Sequence, residues 1–143
     1  MGGRLPAFAS ASGRVILADR PGEEVAALYE DCELVTPTGR RLDGLDELMR
    51  ILREASRRGY AENVDETALG LHCLAAPIGP PGRVVAAITL CVPSGRMRPA
   101  RRHEMLSDLL RAARDIVPPG PGNGDPAPPA ITEPNQSNKL TTC

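Results

Sequence analysis

Cys73, Cys91, His72, His103 and the adjacent carboxylates Asp65 and Glu66 are the side chains of this 143-residue chain best suited to chemistry. A thiol nucleophile needs a base within hydrogen-bond reach, and His72 is the neighbour of Cys73. Both fall in a segment that reads as a strand, where successive side chains point to opposite faces. Strand geometry therefore pulls the Cys–His pair apart. His103 falls on the polar face of a helix and reads as solvated. Asp65 and Glu66 diverge as neighbours in a strand or turn, so a solvated loop is their expected setting. Gly79-Pro80-Pro81-Gly82 cannot cradle a phosphate, because proline has no N–H to donate. No GxGxxG, P-loop or HExxH motif is present. The cysteines (Cys32, Cys73, Cys91 and Cys143) form no CxxC pair, so zinc spacing is missing. They read as reduced, buried small hydrophobes, with Cys143 an exposed thiol at the chain's end. The expectation is a non-enzyme with no cofactor and no metal.

Composition narrows the class further. Hydrophobic residues make up 41% and charged residues 24%, enough for the packed core of one domain. Aromatics are 2% with no Trp, too few for a base-stacking platform. The net charge of −1 lacks the basic excess of a stand-alone nucleic-acid binder. The start has no apolar signal region, and no apolar run approaches the roughly 20 residues of a membrane span. A soluble, cytoplasmic protein is expected.

These side chains need elements to hold them. Residues 10–19 read as a short helix offering Val15, Ile16 and Ala18 for burial. After Pro21-Gly22 a second short helix opens on Glu23 and Glu24 and presents Val25, Leu28 and Tyr29. The strongest helix is 43–58: Asp43 is a suitable N-cap, Leu45, Leu48, Met49, Leu52 and Ala55 repeat at helical spacing, and Gly59 is a left-handed stop. Strands are expected at 60–64, 70–78 and 84–92, with a turn at 79–82. Pro99 opens a last helix buried through Leu106, Leu109, Leu110, Ala113 and Val117. The domain is read as 1–117 and the Pro/Gly-rich 118–143 as a disordered tail. The class is α+β.

Alternation in the strands suggests a binding face. Val84, Ala86, Ile88, Leu90 and Val92 share one side of the third strand; Val85, Ala87, Thr89 and Cys91 share the other. Leu71, Cys73 and Ala75 share a side of the second. Small side chains with a hydroxyl and thiols suit a small-molecule pocket with few polar anchors; they also suit a closely packed helix.

The sequence resembles a known family. Leu5-Pro6-Ala7-Phe8-Ala9-Ser10-Ala11-Ser12-Gly13-Arg14-Val15-Ile16-Leu17-Ala18, Arg58-Gly59-Tyr60-Ala61, Asp65 to Ile78 and Gly82 to Leu90 match, in order, segments of IclR-type transcriptional regulators. The resemblance covers about residues 4–117. It implies a GAF-like effector-binding domain with a central antiparallel sheet flanked by helices, here incomplete at its N-terminus and lacking the winged helix-turn-helix. It implies an effector site at Ala11, Ser12, Asn63, Leu71, Cys73, Thr89 and Cys91. The implied partners are a small organic or aromatic acid and a second regulator chain, its own copy or a full-length relative, with no direct DNA binding and no membrane. The alternatives are an interaction-only module, a non-functional truncated fragment, and, well behind them, a small enzyme using Cys73.

A register test follows. If the site residues face one pocket, Cys73 should stand opposite Thr89. A four-residue turn at 79–82 would pair Cys73 with Ile88 instead, so a three- or five-residue connection, or a bulge, is expected.

Overall fold

The computed structural model describes residues 4–116. Val117, the 118–143 segment and Cys143 lie outside them. A 3-10 turn at Ala7–Ala9 leads into α1 (Ala11–Ala18), followed by α2 (Gly22–Tyr29), α3 (Gly44–Arg58), β1 (Ala61–Val64), β2 (Leu71–Ile78), β3 (Ala86–Pro93), a 3-10 turn at Ser94–Arg96 and α4 (Pro99–Asp115). The strands form one antiparallel sheet in the order β1-β2-β3. The α+β class and every element expected from the sequence are present.

The sheet lies between two helical layers. The odd-numbered β2 residues face α1: Ala11 and Val15 pack with Ala55, Ala61, Cys73 and Ala75. The even-numbered ones face α4: Leu74 and Ala76 pack with Leu109 and Ala113, joined by Ile88, Leu90 and Leu106. A third cluster ties the 3-10 turn to α2 and α3 through Phe8, Leu17, Val25, Tyr29, Leu48 and Leu52. Phe8 is fully buried and meets the Tyr29 ring edge-on at 6.0 Å. That turn, with the largest fully buried side chain, was not expected from the sequence.

Local chemistry explains the helix ends. Ser10 Oγ accepts the Gly13 N–H at 3.0 Å and caps α1. Gly13 is required by packing: a Cβ there would stand 2.2 Å from the Ala7 carbonyl oxygen. Gly59 ends α3 at φ 77°. Two expectations need correction. Asp43 makes no side-chain cap on α3; instead Glu47 Oε2 reaches back to accept the Asp43 N–H at 2.5 Å. In α1, Leu17 is buried whereas Ile16 is 38% exposed, because the helix turns its 11-14-15 stripe to the sheet and Leu17 to α3.

The strand faces agree with the alternation, but the register does not. Cys73 pairs with Cys91, and Thr89 pairs with Ala75. The connection runs from 79 to 85 and is neither a four-residue hairpin nor the expected three or five. The cause is Asp19 at the end of α1. Its Oδ1 accepts from Gly82 N–H (2.5 Å) and its Oδ2 from Val84 N–H (2.9 Å). Those amides are thereby withdrawn from strand pairing, and β3 starts at Ala86, not Val84.

Candidate functional site

Asn63 pairs with Cys73, and Cys73 with Cys91, so these three residues form one row across the sheet. The next row on the same face is Ala61, Ala75 and Thr89. On the other side of the Cys73 row, Leu71 stands opposite Pro93. A residue offset of two preserves the face, which is why Thr89 still shares it with Cys73 although the two are not partners.

The row lies under the N-terminal half of α1. Ala11, 2% exposed, packs on Cys73 and Ala75, and Ser12 is half-buried. Asn63 is 2% exposed and donates from Nδ2 to the Ala9 carbonyl at 2.6 Å, tying β1 to the turn before α1. Its Oδ1 is buried with no hydrogen-bond partner among the described residues. Buried amide oxygens of that kind are uncommon and costly. Cys73 and Cys91 bring their sulfurs to 2.7 Å. Burial, with the hydrogen bond and charge of Cys91 added, pushes the Cys73 thiol up to about 12. Thr89 and Cys91 are exposed because β3 has β2 as its one neighbour among the described residues. The structure thus gathers Ala11, Asn63, Cys73 and Cys91, sets Thr89 and Leu71 one row to either side, and leaves Ser12 at the margin. Of the seven, Asn63 also lines a groove of about 320 Å³ between α3 and β1, beside Arg14, Arg58 and Glu66.

Among the described residues the Cys73 thiol has no base beside it. His72 points to the opposite face, as strand alternation requires, and pairs through Nε2 with Glu62 Oε1. Glu62 in turn accepts from Arg102 Nε (2.8 Å) and Nη2 (2.5 Å) on α4. Arg102 also reaches the Tyr60 hydroxyl at 3.3 Å.

Two buried charges escaped the sequence reading. Glu66 is 2% exposed and Arg14 3%; Arg14 Nη1 contacts Glu66 Oε2 at 2.7 Å, and Arg40 pairs with Glu66 Oε1. Arg14 donates further to the Phe8 carbonyl (2.7 Å) and the Glu62 carbonyl (3.1 Å). The solvated setting expected for Asp65 and Glu66 therefore fails for Glu66. The two do diverge: Asp65, at φ 57°, turns away and accepts from Gly70 N–H at 2.7 Å. The available signal was positional, since Arg14 lies one helical turn from Ala11 on the stripe α1 presents to the sheet.

Residues 1–117 match the family described as bacterial transcriptional regulator IclR, C-terminal. The chain belongs to the IclR family. Its IclR relatives include the HTH-type transcriptional regulator KdgR of Escherichia coli (strain K12), 32% identical over 117 residues, which are 81% of this chain and 44% of that protein. The chain thus spans less than half the length of that relative. Among solved IclR structures, the crystal structure of the C-terminal domain of E. coli KdgR superposes with a TM-score of 0.70 at 32% identity, over 80% of this chain and 70% of that one. An IclR homologue from Microbacterium hydrocarbonoxydans, complexed with 4-hydroxybenzoate, matches with a TM-score of 0.59 at 30% identity, over 78% of this chain and 44% of that one. The curated IclR relatives are transcriptional regulators rather than enzymes.

Proposed function

We propose that this chain is the effector-sensing part of an IclR-type regulator, binding a small organic or aromatic acid at the sheet face under α1. The observation that carries the reading is the Asn63–Cys73–Cys91 row beneath Ala11, with the Asn63 Oδ1 buried and unpartnered. An unpartnered amide oxygen accepts a hydrogen bond from a ligand hydroxyl or protonated acid, while Ala11, Leu71 and Cys73 supply apolar contact. In this reading Thr89, Cys91 and Ser12 add polar contacts at the open margin. The 4-hydroxybenzoate carried by the Microbacterium homologue supports an aromatic acid as the effector class.

The reading extends to assembly and place. The chain acts in the cytoplasm and associates with a second regulator chain through the β3 edge, which has no strand beside it among the described residues. A net charge of −1 supports operator contact through a partner's DNA-binding domain rather than through this chain.

Thermal unfolding with a panel of hydroxybenzoates and small oxo-acids tests the site. A ligand that binds the folded state raises the midpoint by mass action. One compound should raise the midpoint in the wild type and fail to do so in Asn63→Ala or Thr89→Val variants that retain a cooperative transition. A wild-type midpoint that no compound moves, or a shift indifferent to both substitutions, refutes the site.

A further inference from the structure

Cys73 and Cys91 stand directly opposite each other on β2 and β3, and both are free thiols. Ser94 N–H donates to the Gly70 carbonyl at 2.7 Å, which marks 70/94 as a hydrogen-bonded pair. Alternation then makes 73/91 a non-hydrogen-bonded pair, the kind whose Cα atoms approach to about 4.5 Å and whose side chains lie closest. That spacing falls inside the roughly 4.4–6.8 Å Cα range that a disulfide spans. The two sulfurs are already 2.7 Å apart. Cys91 is exposed, whereas Cys73 is 5% exposed. One thiol is therefore open to solvent, and the second waits behind it.

We propose that Cys73 and Cys91 are a reversible redox pair, oxidised by a peroxide-class oxidant to a disulfide across the sheet and reset by a small thiol. Cys91 sulfur attacks one peroxide oxygen; the O–O bond breaks, and the departing hydroxide takes up the Cys91 proton as water. The product is a sulfenic acid at Cys91. Cys73 sulfur then attacks the Cys91 sulfur; the S–S bond forms, the S–O bond breaks, and hydroxide leaves with the Cys73 proton as a second water. Two thiols lose two electrons and one peroxide becomes two waters. Two molecules of small thiol reverse the change and leave as their own disulfide. The order of attack follows from access: Cys91 is exposed whereas Cys73 is 5% exposed, so Cys91 meets the oxidant first. The inference does not depend on the effector reading.

The full 143-residue chain is treated with hydrogen peroxide, alkylated with N-ethylmaleimide under denaturing conditions and cut with trypsin without reductant. Cleavage after Arg58, Arg83 and Arg96 places Cys73 in the 59–83 peptide and Cys91 in the 84–96 peptide. The expected product is the two peptides joined, returning to two alkylated peptides after dithiothreitol. In Cys91→Ser, Cys73 should remain alkylatable after the same exposure; in Cys73→Ser, Cys91 should proceed to sulfinic acid. Recovery of both wild-type peptides separately alkylated overturns the proposal. So does Cys91 joined mainly to another cysteine, or oxidised beyond the sulfenic state while Cys73 stays alkylatable.

Discussion

Glu62 on β1 holds Arg102 on α4 with two prongs, accepting from Nε at 2.8 Å and from Nη2 at 2.5 Å. Because β1 lies at an edge of the sheet among the described residues, this pair fastens the last helix to the sheet's margin. Burial pushes the Glu62 carboxyl up, but the hydrogen bonds from Arg102 and His72 and their charges outweigh it and hold the group below its ordinary 4.5. Arg102 is correspondingly raised, first by its hydrogen bond to Glu62. A carboxyl whose folded value is depressed stabilises in full above its unfolded value and loses that contribution as pH falls through the folded one. Urea midpoints of the wild type should therefore fall steeply below about pH 4.5. Glu62→Gln should lower the midpoint at neutral pH and flatten that acid limb. An unchanged limb in the variant would remove Glu62 as its source.

The Arg14–Glu66 pair is enclosed, so removing Glu66 leaves the Arg14 guanidinium without its carboxylate, and removing Arg14 leaves Glu66 with Arg40 as its remaining cation. Arg14→Met or Glu66→Gln alone should cost about 3–5 kcal/mol. The double variant should recover part of this, because no charge of the pair is left alone. Additive losses in a double-mutant cycle would show that the two side chains do not act on each other.

Gly13 permits the 3-10 turn to lie against α1. An added methyl would meet the Ala7 carbonyl oxygen at 2.2 Å. Gly13→Ala should destabilise by about 1–3 kcal/mol, despite alanine's better helix propensity. The same substitution should lower the amide-exchange protection at position 13 and at Arg14, since the Ser10 cap shifts with the turn. A stabilised Gly13→Ala would mean that the turn relaxes freely.

Asp19 anchors the β2–β3 connection through two backbone amides. Asp19→Ala should cost about 1.5–3 kcal/mol, the usual range for hydrogen bonds to a charged group. Amide exchange should accelerate at Gly82 and Val84 while Leu74 and Leu90 stay protected. Equal acceleration along the whole of β3 would show that the carboxylate holds the strand rather than the loop.

What was legible in the sequence divides by range. The helices expected at 10–19 and 43–58, found at 11–18 and 44–58, and the faces of β2 and β3 depend on periodicity within a few residues, and their presence was legible there. The sharing of one face by Cys73, Thr89 and Cys91 needs only parity, so an error of two in register leaves it intact. The register itself depends on Asp19 taking amides 63 and 65 positions away, which no local pattern displays. Arg14 and Glu66 were missed for a similar reason. Charge predicts exposure until a partner 52 positions distant is folded against it, and the helix stripe that placed Arg14 inside was judged by its apolar members alone. The row from Asn63 through Cys73 to Cys91 needed the β1–β2 register, set by the Asp65–Gly70 loop.

The helix α1 is held at both ends. Ser10 and the Ala9–Asn63 bond fix its start beside the cysteine row, and Asp19 fixes its end to the β2–β3 connection. Eight residues at about 1.5 Å each make a strut about 12 Å long that is too short to bend. Whatever wedges Ala11 away from Cys73 must tilt this strut as a whole, and its far end then carries Gly82 and Val84 along. A displacement of Ala11 at the row would thereby reach the opposite rim of the sheet through α1.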